Sequence, residues 1–428
     1  MKKVILIGII LFWGIGSSVA QYKEALKSTF YDAEYYMLYE DYNEALNLYL
    51  TLVRDGLNNA YIQHRIGECY LNIPGQKNKS IPYLEKACED IATTIKEGSI
   101  KETKAPVRAV FYLACAYQSN NQLDKAIETF NWFKNELADQ KIYNTDYVDR
   151  QIESCKVAKD LISHPLAVKT INAGELINNN YSNILPVLSS DESTMLYVSK
   201  LKFYDAIFYA KKDSADWAAP LNITPDLQSD GNLYTSHLSC DGKTLVLIKS
   251  DNFNSDIYLS KFSNGKWTIP EKLNKHINTK YRESFASITS DGKKLYFVSD
   301  RKGGFGGMDI YVSVWDEKTN DWGKAENLGS TINTAFNEET AIICEKENKL
   351  YFSSQGHYNM GGYDIFCSDY INGEWSAPEN LGYPINTTDD NIYFYPIGDG
   401  KQAYISRYDE NGYGMEDIIK IEIVTANK

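Results

Sequence analysis

Ser299-Asp-Arg-Lys-Gly-Gly-Phe-Gly-Gly-Met-Asp-Ile-Tyr311 packs four glycines into five residues. A loop this rich in glycine cradles phosphate when a strand leads into it and a helix N-terminus follows. Here Lys294-Leu-Tyr-Phe-Val-Ser299 reads as a strand, and so does Asp309-Ile-Tyr-Val-Ser-Val314. A stretch between two strands is a hairpin connection, and the phosphate reading falls. The glycines are expected to supply positive φ, and Asp309 to accept backbone N–H groups and order the turn. No D-x-D-type cluster argues for calcium there.

The same frame recurs along the second half of the chain. Ser353-Ser-Gln-Gly-His-Tyr-Asn-Met-Gly-Gly-Tyr-Asp-Ile-Phe366 repeats it closely, and Ser250-Asp-Asn-Phe-Asn-Ser-Asp-Ile-Tyr258 repeats it without glycines. With Tyr204-Asp-Ala-Ile-Phe208 and Gly412-Tyr-Gly-Met-Glu-Asp-Ile-Ile419, the anchors are Asp205, Asp256, Asp309, Asp364 and Asp417, spaced by 51, 53, 55 and 53 residues. Trp217, Trp267, Trp322 and Trp375 follow their Asp by 11 to 13 residues, and Ile-Asn-Thr follows at 277, 332 and 385. Asp-Gly turns stand before the second strand at 240–243, 290–293 and 398–401, which predicts two-residue hairpins, while the fourth unit departs with Lys346-Glu-Asn. Each unit therefore carries four short strands. Repeats of this size and content are propeller blades.

The fifth unit ends near Val424 before any Trp segment. The missing piece stands at the front of the domain: Leu166-Ala-Val-Lys-Thr-Ile-Asn-Ala173, then Ile177-Asn-Asn-Asn-Tyr181. One N-terminal strand would complete the last blade and leave no free edge. Five blades follow. With S-D-G-K, L-Y-F-x-S and G-G-x-D-I-Y, residues 166 to 424 resemble the WD40-like propeller repeat of the TolB type.

Residues 22 to 162 lack strand alternation and show helical periodicity. Ala33-Glu-Tyr-Tyr36, Gly67-Glu-Cys-Tyr70 and Ala114-Cys-Ala-Tyr117 match, the first two 34 residues apart and the third 47 further on, with 91–104 inserted between them. A small residue lets paired helices approach closely, and the aromatic one turn later fills the space beside it. These units resemble the tetratricopeptide repeat, without its usual Trp near the start and Pro at the end. Residues 147–162 would cap them. The resemblance implies a concave groove lined by Lys27, Phe30, Glu34 and Met37; Tyr61, His64, Glu68 and Leu71; and Arg108, Phe111 and Gln118. The alternative is that Phe30, Tyr61 and Phe111 pack against the propeller or the inserted segment.

Lys2 and Lys3, an apolar run from Val4 to Gly16 and Ser-Ser-Val-Ala20 have the form of a secretory signal peptide. The expected organisation is a signal peptide at 1–20, a tetratricopeptide-like α-solenoid at 21–163 and a five-bladed β-propeller at 164–428. The chain carries net charge −13, two units more negative without those lysines, which opposes nucleic acid and anionic membranes as partners. Seven Cys and five His show no C-x-x-C and no ligand spacing, so no metal or cofactor is expected, and the Cys are read as buried small apolar residues. No G-x-S-x-G elbow occurs, and the propeller's Arg282, Arg301 and Arg407 fall at different places in their units. The repeat Trp fit packing between blades rather than sugar platforms.

Helical repeat followed by such a propeller resembles the periplasmic Bacteroidota proteins of type IX secretion and gliding. Those continue into an OmpA-like domain that this sequence does not show, so the resemblance does not imply peptidoglycan contact. The expectation is an exported, non-enzymatic scaffold, periplasmic or outer-membrane-associated, with envelope proteins as partners. The alternative is a glycan-binding or glycan-processing propeller.

Overall fold

The computed structural model describes residues 21–137, 139, 142–213, 216–251, 254–344 and 348–424. The signal-peptide reading, and most of the departing fourth turn, lie outside them. Helices are followed by a five-bladed β-propeller, and the chain divides into two compact units between Cys155 and Lys156.

The first unit is built from helix pairs. α1 spans residues 21–38, α2 Tyr42–Arg54, α3 Ala60–Asn72, α4 Ser80–Ala87, α5 Arg108–Ser119, α6 Leu123–Trp132 and α7 Thr145–Ser163. Asp41 and Asn59 start α2 and α3 by accepting the backbone N–H of Glu44 and Ile62 at 3.3 and 3.0 Å, the usual remedy for unpaired first-turn donors. The small residues do what their spacing predicted. Ala33, Ala114, Ala45, Ala87 and Ala126 are fully buried, and a Cβ on Gly67 would collide with Leu84 of the paired helix. The inserted segment is ordered by a short parallel pairing of Ile91–Ala92 with Ala105–Pro106.

The second unit is the propeller. In the third blade Glu283–Ile288, Lys294–Ser299 and Asp309–Asp316 form an antiparallel meander. The predicted fourth strand is two fragments, Asp321–Trp322 and Glu326–Asn327, each paired with a different part of the third strand. The first, second and fourth blades repeat this over 183–222, 233–272 and 338–380. In the fifth, Tyr395–Ile397, Gln402–Arg407 and Asp417–Ile423 are completed by Val168–Asn172, antiparallel, with Asn172 opposite Ile419 and Val168 opposite Ile423. The ring closes as the sequence predicted. Trp322 shares a core with Val246, Ile248 and Ile257 of the preceding blade, and the Trp375 and Tyr296 rings meet across blades at 6.1 Å.

The opening stretch is a strand-to-strand turn, but its glycines serve another purpose than expected. Gly306 and Gly307 are not in the left-handed region; only Gly303 of the four is, at φ +96°. A Cβ on Gly306 would strike the carbonyls of Phe336 and Thr334, and one on Gly307 the Asn337 side chain, all in the loop entering the next blade. Gly361, Gly362 and Gly414 press on the equivalent loops of their neighbours. Asp309 accepts from Phe305 N at 2.6 Å, Gly306 N at 3.0 Å and Asn327 Nδ2 at 2.8 Å, as read from the sequence. Asp417 repeats this with Tyr413 N, Gly414 N and Asn172 Nδ2, the last on the closing strand.

The Asp-Gly turns also differ from expectation. Thr289 N bonds Lys294 O at 2.9 Å, so four residues make the connection, and only Gly292 has positive φ, +69°. Asp291 instead accepts Thr289 Oγ1 and Lys293 N at 2.6 and 2.9 Å. Not every Cys is interior either: Cys240 is exposed in the equivalent turn, where a hydroxyl or thiol side chain meets solvent.

Candidate functional site

In the helical unit the residues named for a groove form a polar knot around Arg65. Arg65 is not on the groove face that the repeat resemblance implies; its spacing of three to Glu68 is the signal in the sequence that points to it. Glu34 takes Arg65 through both oxygens, with Nε at 3.1 Å and Nη2 at 2.8 Å, and also accepts Tyr49 Oη at 2.7 Å and Tyr61 Oη at 3.2 Å. Arg65 Nη1 reaches Glu68 at 2.9 Å. Burial alone would depress the guanidinium, but Glu68 and Glu34 more than reverse that. A buried pair of this kind holds its geometry because removing one partner strands the other.

His64 is wholly buried, and burial, with Arg65 and Arg108 adding to it, drives its pKa well down, so the ring is neutral. It stacks on Tyr112 at 5.6 Å. Phe30 is buried beside Tyr61, at 6.2 Å between rings. Phe111 contacts Phe130, Phe133 and Tyr147. Met37 Sδ faces Cys69 Sγ at 3.3 Å, Gln118 is buried, Leu71 is half-buried, and Lys27 is exposed beside Glu24.

The inserted segment lies on this face. Gly98 N donates to Tyr61 Oη at 2.9 Å, Tyr61 N donates to Thr103 O at 3.2 Å, and Arg108 holds the Glu97 carboxylate, with Nη2 to Oε2 at 2.9 Å. An exposed row lies elsewhere on the unit. Tyr31 and Tyr35 stand one turn apart on α1, with Leu38 and Tyr39 following, between 45% and 78% exposed. The Tyr35 and Tyr39 rings meet at 4.7 Å, tilted by 46°, and Asp32, Tyr35, Tyr36, Glu44 and Leu48 line a hollow there.

In the propeller the first strands of the blades face one another around the axis. A circuit of bonds ties each blade to the next: Thr235 Oγ1 to Leu185 O, Ser236 Oγ to Ala286 O, Ile343 N to Ser287 Oγ, Thr340 Oγ1 to Ile392 O and Tyr393 Oη to Pro186 O, between 2.5 and 3.2 Å. Bulges in three first strands place Leu185, Phe285 and Thr340 at positive φ.

At the glycine-turn end two carboxylates are tied to the fold. Glu283 is held by Thr279 N, Thr279 Oγ1, Ser299 and Arg301, and Glu338 by Thr334 N, Thr334 Oγ1 and Ser354. Glu339 differs. It accepts Ser284 Oγ at 3.1 Å, and burial pushes its pKa up to about 7 against the pull of that bond and of Arg282. Nothing in the sequence marked it apart from Glu338. Among the described residues no group of three His, Cys, Asp or Glu could hold a metal ion, and no helix is long and apolar enough to cross a membrane.

No protein-family model and no curated protein matches the chain. Solved structures resemble part of it. TolB from Acinetobacter baumannii is 19% identical at a TM-score of 0.38, over 56% of this chain and 54% of that one, so the match spans about half of that protein. An endo-arabinase from Bacteroides thetaiotaomicron is 13% identical at 0.38, over 60% of this chain and 97% of that one. The catalytic domain of a GH62 α-L-arabinofuranosidase from Coprinopsis cinerea is 10% identical at 0.38, over 60% and 98%. These likenesses assign no chemistry.

Proposed function

We propose that the chain is an exported, non-enzymatic interaction subunit of a cell-envelope complex, and that its helical unit docks the partner. The observation that carries this reading is the exposed row Tyr31, Tyr35, Leu38 and Tyr39. Large exposed apolar side chains in one row mark a contact surface, and Tyr supplies much of the energy of such contacts. Asp32 and Glu44 flank the row, so the partner segment carries Lys or Arg that can stack on the tyrosines. The groove face of Tyr61, His64, Glu68 and Arg108 is a second docking surface only where segment 91–104 is displaced. A catalytic propeller is disfavoured by the bonds that commit Glu283 and Glu338 to the fold.

Recovery of partners from solubilised envelope tests this. Tyr35→Ala with Tyr39→Ala should abolish recovery at an unchanged melting temperature. Tyr61→Ala with Arg108→Ala should lower the melting temperature by several degrees. Undiminished recovery with the first pair overturns the docking surface.

A glycan-processing reading keeps one observation in its favour, the proton-retaining Glu339 beside Ser284. Glycoside hydrolysis requires two carboxylates flanking one bond. Release of reducing ends from oligosaccharides, lost in Glu339→Gln, would establish it.

A further inference from the structure

Two of the repeat tryptophans pack between blades as expected: Trp267 and Trp322 are each 3% exposed, and Trp322 lies in a core with Val246 of the blade before. Trp217 is half-buried, with the Lys212 ammonium over its ring at 5.1 Å. Trp375 differs from all three. It meets Tyr296, which stands on its strand where Val246 stands in the second blade, edge to face at 6.1 Å. A phenol in place of an isopropyl group leaves the indole no room to sink, and Trp375 stays half-buried. A hollow of about 310 Å³ opens at this seam, with Asp291, Lys294, Tyr296, Asn348, Tyr370 and Trp375 in its lining. Asp291, Lys294, Asn348 and Tyr370 are exposed, so solvent reaches them.

The lining combines two chemistries. One is aromatic: the Tyr370 and Trp375 rings lie 4.8 Å apart, tilted by 53°. The other is polar and held in place. Thr289 Oγ1 and Lys293 N donate to one Asp291 oxygen at 2.6 and 2.9 Å, and those two bonds lower its pKa. Lys294 Nζ sits 5.8 Å from the centre of the Tyr370 ring. These charges narrow the guest. The ammonium already occupies the aromatic face that a cation would seek, and the ionised Asp291 opposes an anion. One charge of each sign leaves a neutral guest. Aromatic rings beside a carboxylate, an ammonium and an amide suit a molecule with apolar C–H on one face and several hydroxyls around its rim. A pyranose ring has that form, and the volume lies at the small end for ligand pockets, which fits one such ring.

We propose that this seam is a binding site for a neutral pyranose unit, its C–H face on Trp375 and its hydroxyls on Asp291, Lys294 and Asn348. The unit is either a free monosaccharide or the end of a glycan chain. The site involves neither the α1 row nor Glu339, so it stands or falls without either reading above.

The test is titration of the full chain with the methyl pyranosides of glucose, galactose and mannose, followed by calorimetry and by the NMR signal of the Trp375 indole N–H. Saturable binding of at least one glycoside that shifts this signal is expected. Trp375→Ala removes the platform and should weaken binding tenfold or more. Should that variant fail to fold, Ser290→Trp, in the exposed turn that also lines the hollow, should block entry instead. The tetrasaccharide of whichever sugar binds then separates the two sources: tenfold tighter binding assigns the site to glycan chains, and equal binding assigns it to free sugar. No saturable binding of any of the three glycosides, or binding indifferent to both substitutions, overturns the proposal.

Discussion

Gly306 and Gly303 sit three residues apart in one turn and are glycine for different reasons. At Gly303 the backbone is left-handed and the space around it is open, so alanine costs only the strain of positive φ, about 1 kcal/mol. At Gly306 the backbone is ordinary, but a methyl would drive into two carbonyls of the next blade, and forcing that loop away costs about 1–3 kcal/mol. Denaturant unfolding should therefore rank Gly306→Ala as more damaging than Gly303→Ala; the reverse order would return the turn to a purely conformational account. Glu339 offers a second residue-level test. It keeps its proton to about pH 7 when folded and loses it near pH 4 when unfolded. The native state binds the extra proton between those values, so this residue's contribution to stability is full below about pH 4 and falls as pH rises to 7. Glu339→Gln cannot ionise and should be more stable than the parent at pH 8, by about 3 kcal/mol at most, and equally stable at pH 4. Equal melting at both pH values would mean that the fold does not raise the pKa of Glu339.

Strand Val168–Asn172 is the element on which the ring depends. A chain beginning at Tyr181 loses it, and with it the Asn172 bonds to Asp417 and the pairing of Asp417–Ile423. That chain should aggregate, as unpaired edges do, whereas one beginning at His164 should stay monomeric in light scattering. Equal behaviour of the two would remove the closing role. This element was legible because Ile177-Asn178 repeats Ile277-Asn278, and Asn178 does in the fifth blade what Asn278 does in the second, bonding Ile418 N at 2.8 Å as Asn278 bonds Ile257 N at 2.7 Å. Blade count, turn positions and helix pairing were legible for the same reason: each is a local pattern stated several times. The candidate site was much less so. Tyr61 and His64 occupy the predicted helix face, but whether that face stays open or packs against segment 91–104 was left as two alternatives, because one loop's path is a tertiary fact stated once; Tyr61 bonds Gly98 and Thr103 of the segment. The openness of Trp375 and the character of Glu339 were not legible either, since their distinction lies in what surrounds them across blades rather than in their neighbours along the chain.

At the scale of the whole molecule, protection should follow distance from the propeller axis. First strands such as Glu283–Ile288 are mostly buried and tied blade to blade, while Val168–Asn172 is mostly exposed along its length. Hydrogen exchange should thus be slowest in the first strands and faster in the closing strand, with the two-residue outer fragments faster still. Uniform protection across a blade would mean that the ring opens only by complete unfolding. The shared fifth blade also fixes an order in time. Asn172 meets Asp417 across 245 residues of chain. A contact so distant in sequence is slow to find, and here it cannot even be attempted until Asp417 has been synthesised. Four blades can be made before their ring has a seam to close, so anything that meets the growing chain meets an open ring until the last strand arrives.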